Sequence, residues 1–253
     1  MKLHYKTFGE GFPMIILHGL FGSGDNWVSI SKRFSEYYKV IVVDQRNHGH
    51  SPWSDEMNYD HLSQDLKELC DDLKIDKAIV LGHSMGGKTA LKFNNSFPGL
   101  ITKMIIVDMG IKKYPPHHTK IIQAIDSVDL NKISSRREVE QILISGIDSV
   151  GVRQFIMKNL YWKDKGKLSW RMNFQVLKQQ MSNILEELSL HRSNTHSLFI
   201  KGEHSNYILD EDVEFIESFI PDSTFVTIEG AGHWVHAEKT EDFTDEVLSF
   251  CLL

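Results

Sequence analysis

The chain is poor in cysteine and has no long apolar run. Only two of its 253 residues are cysteine, Cys70 and Cys251, and they lie far apart in the sequence. Such sparse use excludes a disulfide framework and is typical of a reducing compartment. The run Met14 to Leu17 is too short to span a bilayer, and residues 1–6 lack the apolar core of a signal peptide. We therefore expect a soluble, cytoplasmic protein that does not insert into membranes.

Signatures of nucleic-acid, nucleotide and metal binding are also missing. The net charge is −6, and no Lys/Arg-rich run with interleaved aromatic residues occurs, which argues against nucleic acid as a partner. No G-x-G-x-x-G or P-loop opens a helix, and His117-His118 lies in a Pro-containing loop without an H-x-x-x-H pair and nearby acid. The sequence thus predicts no cofactor and no metal, and it does not indicate an oligomeric state.

The positive charge is unevenly spread. Residues 112–178 contain 13 Lys and Arg against 6 Asp and Glu, although the whole chain is acidic. Solvated helix faces are the simplest explanation of this balance, and a surface that attracts anionic groups is the alternative.

The chain outside this segment alternates short β-rich runs with helical patterns. This alternation predicts an α/β fold, with a mostly parallel sheet covered by helices on both faces. The predicted strands are Leu3 to Phe8, Met14 to Leu17, Val40 to Val43, Ala78 to Leu81, Lys103 to Val107, Ser197 to Lys201 and Thr224 to Ile228. The predicted helices are Asn26 to Phe34, Tyr59 to Leu73, Met85 to Asn95, Asp210 to Phe219 and Ala237 to Leu252.

Residues 112–194 interrupt the alternation with helical patterning and no comparable strands. We expect residues 1–111 and 195–253 to form the core, and the interruption to be a helical lid over the carboxyl ends of the strands, where open α/β folds bind ligands. Aromatic side chains are the candidates for lining a pocket under this lid. They are Phe21, Tyr114, Phe155, Tyr161, Trp162 and Trp234.

The most informative stretch is Gly82-His83-Ser84-Met85-Gly86, which lies between the strand Ala78 to Leu81 and a predicted helix. Its flanking glycines let strand and helix approach closely, so that the turn can hold Ser84 in strained geometry with Oγ projecting. The pattern alone also fits an ordinary glycine-rich turn. Its position between strand and helix favours a nucleophile elbow, with Ser84 as the catalytic nucleophile.

A serine nucleophile needs a base and donors for the oxyanion. The base is predicted to be His233, because Gly230-Ala231-Gly232-His233-Trp234 follows the last strand and its small residues let the loop fold back towards the elbow. His236 is the nearest competitor and is expected to be structural. The oxyanion donors are predicted to be the main-chain N–H groups of Leu20, in the His18-Gly19-Leu20-Phe21-Gly22 turn, and of Met85. His18 is expected to brace that turn.

These motifs resemble the α/β-hydrolases over the whole length of the chain, and in detail the small bacterial YbfF-type esterases. The matching stretches are Asp44 to Pro52, Gly82 to Lys88 and Gly230 to Lys239. The resemblance implies the α/β-hydrolase fold with its helical lid inserted after the sixth strand. It also implies hydrolysis of short acyl esters, with acyl-CoA thioesters as further substrates. In the first stretch, Arg46, Asn47 and His48 are expected to hold loops together.

The acid of the triad is where the chain departs from the common α/β-hydrolase pattern. The turn that usually carries it reads Gly202-Glu203-His204-Ser205, with Ser205 in the place of the acid. Asp108 directly follows a strand that should lie between the nucleophile strand and the strand Ser197 to Lys201, so it is the predicted acid. YbfF-type esterases look the same at these two positions. Capping the turn into the lid is the alternative role of Asp108, and Glu203 and Asp210 are the alternative acids.

The sequence therefore predicts a serine-dependent carboxylic ester hydrolase with Ser84, Asp108 and His233 in its triad and Ser205 as a supporting hydroxyl. Its substrates are expected to be short- to medium-chain acyl esters. An acyl-CoA thioesterase is the alternative within enzymes, because basic residues of the lid could attract CoA phosphates. The alternative from another class is a non-catalytic binding protein on the same fold.

Overall fold

The computed structural model describes residues 1–116 and 118–253, so His117 of the His117-His118 pair lies outside the described residues. Seven strands form one sheet in the order β1-β3-β2-β4-β5-β8-β9, in which only the β1–β3 pairing is antiparallel. The strands of this sheet are β1 (Tyr5–Phe8), β2 (Pro13–Leu17), β3 (Lys39–Val43), β4 (Ala78–His83), β5 (Ile101–Val107), β8 (His196–Gly202) and β9 (Ser223–Ile228).

The α/β fold that the alternation of strands and helices predicted is confirmed, and the element bounds differ from the prediction by a few residues at most ends. A short 3₁₀ turn, Gly24–Trp27, precedes the first helix, and the last predicted helix is divided into α10 and α11. Outside the insertion the helices are α1 (Val28–Phe34), α2 (Tyr59–Asp72), α3 (Met85–Ser96), α9 (Asp210–Phe219), α10 (Val235–Glu238) and α11 (Thr240–Leu252).

The sheet is buried on both faces, which explains why its central strands read as unbroken apolar runs. Successive side chains of a strand point to opposite faces. In β2, Ile15 and Leu17 join the core on the side of α2 and α3, whereas Met14 and Ile16 join the core on the side of α1 and α11. Glycine-bracketed loops at the carboxyl ends of these strands are therefore held on a rigid, fully packed support.

Between β5 and β8 the chain leaves the sheet. This segment holds five helices, α4 (Thr119–Asp126), α5 (Arg136–Ile144), α6 (Val150–Met157), α7 (Phe174–Gln179) and α8 (Met181–Leu185), and two strands, β6 (Leu160–Asp164) and β7 (Lys167–Trp170). We call residues 112–194 the insertion. Two details differ from expectation. The insertion follows the fifth strand of the chain instead of the sixth, because only β1 to β5 precede it, and it is not purely helical.

The two strands of the insertion form an antiparallel hairpin. Its turn uses Gly166 at φ 75°, a left-handed conformation that glycine adopts without steric cost. None of the helices within the described residues combines the length and the apolar composition that crossing a bilayer requires.

Candidate active site

Ser84 occupies the sharp turn between β4 and α3. Its backbone has φ 52° and ψ −118°, a strained conformation for a residue other than glycine. The flanking glycines make this turn possible: a Cβ at Gly82 would lie 2.2 Å from the carbonyl oxygen of Gly86, and a Cβ at Gly86 would lie 2.3 Å from that of Leu17. The predicted elbow geometry is thus present, and the Ser84 side chain lies at the carboxyl end of the sheet.

The structure brings Ser84, His233 and Asp108 together from three different loops. The Oγ of Ser84 lies 3.1 Å from Nε2 of His233, and Nδ1 of the same ring lies 2.7 Å from Oδ2 of Asp108. Asp108 follows β5, which lies between β4 and β8 as expected. The order of hydroxyl, imidazole and carboxylate is the one that lets a histidine accept a proton from serine while a carboxylate stabilises the imidazolium.

Asp108 is completely buried and sits at φ 48°. Its Oδ1 accepts a hydrogen bond from the Gly202 N–H at 3.2 Å, and its Oδ2 accepts one from the Ser205 hydroxyl. Burial raises the pKa of Asp108 to about 7, because the carboxylate loses its hydration, whereas the donors Ser205 and Gly202 act to lower it. The Ser205 hydroxyl thus lies beside Asp108, and its hydrogen bond favours the ionised form of this carboxyl.

The two alternative acids lie elsewhere. Glu203 accepts a hydrogen bond from the Gly230 N–H at 2.7 Å, and Asp210 forms a 2.6 Å ion pair with Lys201. Both carboxylates thus serve loop and surface contacts, and Asp108 is the acid whose oxygen lies within hydrogen-bond distance of the His233 ring.

Three further residues hold His233 in place, and the sequence patterns assign none of them to this role. The Tyr207 ring stacks on the His233 ring, with 3.8 Å between centroids and 13° between planes. Glu238 accepts from the N–H groups of Gly232 at 2.7 Å and of Trp234 at 3.3 Å, on either side of the histidine. His83 Nε2 donates to the carbonyl oxygen of His233 at 2.9 Å.

Two of these residues were visible in the sequence. His83 lies inside the elbow motif, and Glu238 lies in a stretch that carries the family resemblance. Burial lowers the pKa of His83 well below 6.5, so this ring is a neutral hydrogen-bond donor. His236, the competing histidine, stacks on Trp27 at 4.2 Å and is buried, in agreement with its expected structural role.

The predicted oxyanion donors lie beside Ser84. A Cβ at Gly19 would lie 3.2 Å from the Cβ of Ser84, which shows how closely the turn before Leu20 approaches the serine. Met85 is the first residue of α3. Within residues 1–116 and 118–253, neither the Leu20 N–H nor the Met85 N–H donates a hydrogen bond to another group, so both can serve a substrate oxygen.

Two buried histidines brace the turn that carries Leu20. His18 Nδ1 donates to the Gly19 carbonyl oxygen at 2.8 Å, and its Nε2 accepts from the Gln45 N–H at 3.0 Å. His48 Nε2 accepts from the Phe21 N–H at 3.2 Å, and burial lowers the pKa of His48 to about 3, so that the ring keeps this acceptor. The expectation that the Asp44 to Pro52 stretch holds loops together agrees with these contacts.

Arg46 and Asn47 show the same pattern. Arg46 forms a buried bidentate pair with Asp65, in which Nε lies 2.6 Å from Oδ2, and donates to the Glu56 carbonyl oxygen at 2.9 Å. Asn47 sits at φ 64° and accepts from the Ser54 N–H at 2.8 Å. Neither residue lines the cavity that opens onto Ser84, so both belong to the support of the site.

A small cavity of about 30 Å³ opens onto Ser84. The core lines one wall with Gly19, Leu20, Phe21, His83, His233 and Trp234, and the insertion lines the other with His118, Ile121, Val152, Phe155 and Ile156. Three of the six aromatic candidates, Phe21, Phe155 and Trp234, therefore lie at this cavity.

The other three candidates lie elsewhere. Tyr114 lines a neighbouring cavity with Tyr207 and His233, and its hydroxyl bonds the Gly110 N–H and the Tyr207 carbonyl oxygen at 2.7 Å each. Tyr161 and Trp162 do not line the Ser84 cavity. They lie on the hairpin, where the Arg171 guanidinium covers the Tyr161 ring at 4.6 Å and half of the Trp162 side chain is exposed. The sequence predicts helix for this segment, whereas the structure has a hairpin, whose strands point successive side chains to opposite faces.

Among the described residues, no three His, Cys, Asp or Glu side chains cluster in a way that could hold a metal ion. The polar groups around Ser84 are instead arranged as hydrogen-bond donors and acceptors to one another.

Comparison with known proteins places this geometry in context. Residues 13–132 match the model of the family described as alpha/beta hydrolase fold. The chain is 33% identical over 230 residues to the esterase YbfF of Escherichia coli, covering 90% of this chain and 89% of that protein. It is 34% identical over 255 residues to an sn-1-specific diacylglycerol lipase of Xenopus tropicalis, covering 97% and 80%. The solved structure of a marine microorganism esterase matches with a TM-score of 0.95 and 40% identity, covering 98% and 99%.

Proposed function

Because the chain belongs to the α/β-hydrolase family and is a hydrolase of ester bonds, we propose that it is a serine-dependent carboxylic ester hydrolase that works through an acyl-enzyme intermediate. The observation that carries the proposal is the relay from Ser84 Oγ to His233 Nε2 at 3.1 Å and from His233 Nδ1 to Asp108 Oδ2 at 2.7 Å. No cofactor is needed for this chemistry.

In the first half of the reaction, Ser84 Oγ attacks the acyl carbon and His233 takes the hydroxyl proton. The carbonyl oxygen becomes an oxyanion, which the N–H groups of Leu20 and Met85 stabilise. Each such donor contributes on the order of a hundredfold or more in rate. His233 then gives its proton to the departing alkoxide, and the acyl group stays on Ser84.

In the second half, water attacks the acyl-enzyme and His233 accepts a proton from it. The acid leaves when the proton returns to Ser84. Asp108 keeps the ring in the tautomer that presents unprotonated Nε2 to the serine, and the ionised form of Asp108 stabilises the imidazolium. The stacked Tyr207 ring and the Glu238 contacts support this geometry, because they limit the freedom of the loop that carries His233.

The walls of the cavity support short- to medium-chain acyl esters as substrates. A volume of about 30 Å³ suits a small acyl group, and the apolar side chains of Ile121, Val152 and Ile156 offer contacts to the first methylenes of a longer one.

The test is hydrolysis of a p-nitrophenyl ester series from acetate to decanoate by the wild type and by Ser84→Ala. We expect the wild type to turn over the short members, and the variant to lose about 10⁴-fold or more in kcat. A fluorophosphonate probe should label the wild type and spare the variant. A wild type that neither hydrolyses any ester nor reacts with the probe would refute the proposal and favour a non-catalytic binding protein.

An acyl-CoA thioesterase is the second candidate. A larger groove of about 530 Å³ adjoins the Phe155 and Trp234 side of the Ser84 cavity, and its charged lining residues are the cation Lys158 and the carboxylate Glu238. A cation there would favour an anionic leaving group such as CoA. If the groove binds CoA, kcat/KM for acetyl-CoA should fall with increasing salt concentration more steeply than kcat/KM for p-nitrophenyl acetate. Equal salt dependence of the two would remove this candidate.

A further inference from the structure

Lys88 is a completely buried lysine for which the reaction has no use. It lies on α3 one helical turn after Ser84, with its backbone N–H bonded to the Ser84 carbonyl oxygen at 3.2 Å. A buried ammonium is costly unless its donors are satisfied. Burial of the Lys88 ammonium therefore requires hydrogen-bond acceptors that offset this free-energy cost.

Those partners are the two backbone segments where the insertion leaves and rejoins the core. Lys88 Nζ donates to the carbonyl oxygen of Lys112 at 2.9 Å and to that of Glu186. The same ammonium lies 5.0 Å from the Tyr114 ring centroid and 5.9 Å from that of Tyr59, within the range of cation–π attraction. One side chain thus joins the helix of the nucleophile to both ends of the insertion.

These two segments, residues 111–114 and 185–188, pair with each other, and we call them the neck. The Tyr114 N–H donates to the Leu185 carbonyl oxygen at 2.9 Å, and the Leu188 N–H donates to that of Ile111 at 3.0 Å. The carbonyl groups that Lys88 binds lie between these two bonds. Both bonds are partly buried, so without Lys88 these acceptors would lose a charged donor at a place where water has only partial access.

The neck is also tied to His233. The Tyr114 hydroxyl donates to the Tyr207 carbonyl oxygen at 2.7 Å, and the Tyr207 ring stacks on His233 at 3.8 Å. In the other direction, the neck carries the segment whose side chains Ile121, Val152 and Phe155 line the Ser84 cavity. A shift of the neck would therefore move one cavity wall relative to the serine.

We propose that Lys88 is a positioning residue that fixes the neck relative to Ser84, and that it thereby sets the acyl-length selectivity of the enzyme. The inference rests on the proposed ester hydrolysis. Burial lowers the pKa of Lys88 to about 8, with Glu186 and Glu187 opposing this shift, so the side chain is predominantly an ammonium with three donors at neutral pH.

The kinetic test compares the wild type with Lys88→Met, which keeps an unbranched side chain but removes the donors and the charge. Lys92→Met is the matched control, because Lys92 lies one turn further along α3 and pairs at 2.7 Å with the exposed Asp60. We expect Lys88→Met to raise KM for p-nitrophenyl hexanoate about tenfold more than KM for the acetate, with kcat for the acetate within about threefold of the wild type. Lys92→Met should match the wild type.

A merely structural role would give a different result. A less stable but correctly shaped enzyme loses active molecules, which lowers the apparent kcat for both esters equally and leaves both KM values unchanged. Such a pattern in Lys88→Met would overturn the proposal.

A second measurement, amide hydrogen exchange, does not depend on turnover. In the wild type, the neck amides of Tyr114 and Leu188 should exchange slowly, and in Lys88→Met they should exchange at least about tenfold faster. If that variant does not fold, Lys88→Gln, a shorter donor, replaces it. Wild-type neck amides that exchange as fast as those of exposed loops would overturn the proposal outright. If no ester is hydrolysed, exchange still tests the tie to the neck, so failure of the function and failure of the inference remain distinguishable.

Discussion

The two walls of the Ser84 cavity are built in different ways. The core wall contains, beside Ser84, the polar side chains of His83 and His233, and hydrogen bonds to main-chain groups or neighbouring side chains fix both rings. The insertion wall is mainly apolar, with Val152 and Ile156 presenting side chains that only packing holds. One polar tie between the walls is Asn159, whose Nδ2 donates to the Phe21 carbonyl oxygen at 2.8 Å.

The difference separates two properties of the enzyme. Proton transfer requires atoms to be placed within tenths of an ångström, which directional hydrogen bonds achieve. Recognition of an alkyl chain requires only shape and apolar surface, which tolerate changes of side chain. Substitutions in the core wall should therefore change the rate for every ester, and substitutions in the insertion wall should change the preference among esters.

The largest effect on the rate is expected from a substitution of Asp108, the acid that supports the core wall through His233. Asp108→Asn should lower kcat by about 10⁴-fold for all esters, because an amide that donates to Nδ1 stabilises the wrong tautomer of His233. Stopped-flow or steady-state hydrolysis of p-nitrophenyl acetate measures this loss, with Asp210→Asn as the surface control. Near-normal turnover of Asp108→Asn would mean that Asp108 only caps its turn.

A smaller effect concerns pH. The Ser205 hydroxyl lowers the pKa of Asp108, so Ser205→Ala should raise that pKa further above its ordinary value, and Asp108 would be protonated over a wider range of acidic pH. Since the proposed reaction needs the ionised acid, the acid limb of the kcat/KM profile should move to higher pH, with a loss of about tenfold at pH 6 and little loss at pH 9.

The control for this shift is Ser218→Ala, because Ser218 is exposed and its hydroxyl donates only to the Phe215 carbonyl oxygen of the same helix. The complete pH profile of each variant decides the question. A uniform loss at every pH in Ser205→Ala would assign the hydroxyl to loop structure instead of to the ionisation of Asp108.

The smallest effect on rate should come from the insertion wall. Phe155→Ala opens the cavity towards the adjoining groove, so kcat/KM for hexanoate relative to acetate should rise about tenfold, while the acetate value stays within about threefold. The p-nitrophenyl ester series measures both, and Ile144→Ala, an exposed position on α5, is the control. An equal change for all chain lengths would show that Phe155 affects the core wall as well.

Much of the core could be predicted from the sequence, because its signals are local. The glycines around Ser84 predict the elbow, and the small residues before His233 predict the loop that folds back towards it. Asp108 required one more step, since its assignment depended on β5 lying between β4 and β8, which the usual order of α/β strands supplied.

The insertion was harder to predict, because its elements are short and its contacts are distant in sequence. The hairpin that carries Tyr161 and Trp162 has a turn signal, Lys165-Gly166, but its strands are too short for their period to stand out against helical neighbours. The stacking of Tyr207 on His233 and the burial of Lys88 carry no local pattern at all. Both depend on how segments far apart in the chain meet.

The order of strands also means that the residues around Ser84 come together only when the whole sheet has folded. Ser84 and Asp108 are separated from His233 by 149 and 125 residues, and His233 follows β9, an edge strand that pairs with β8. Contacts between such distant residues form slowly, since closing long loops costs entropy before any pairing compensates. During refolding, secondary structure should therefore return before hydrolysis does. On the proposed mechanism, a chain that has assembled every strand except β9 has not yet placed His233 beside Ser84, so the serine would stay unactivated until the sheet is complete.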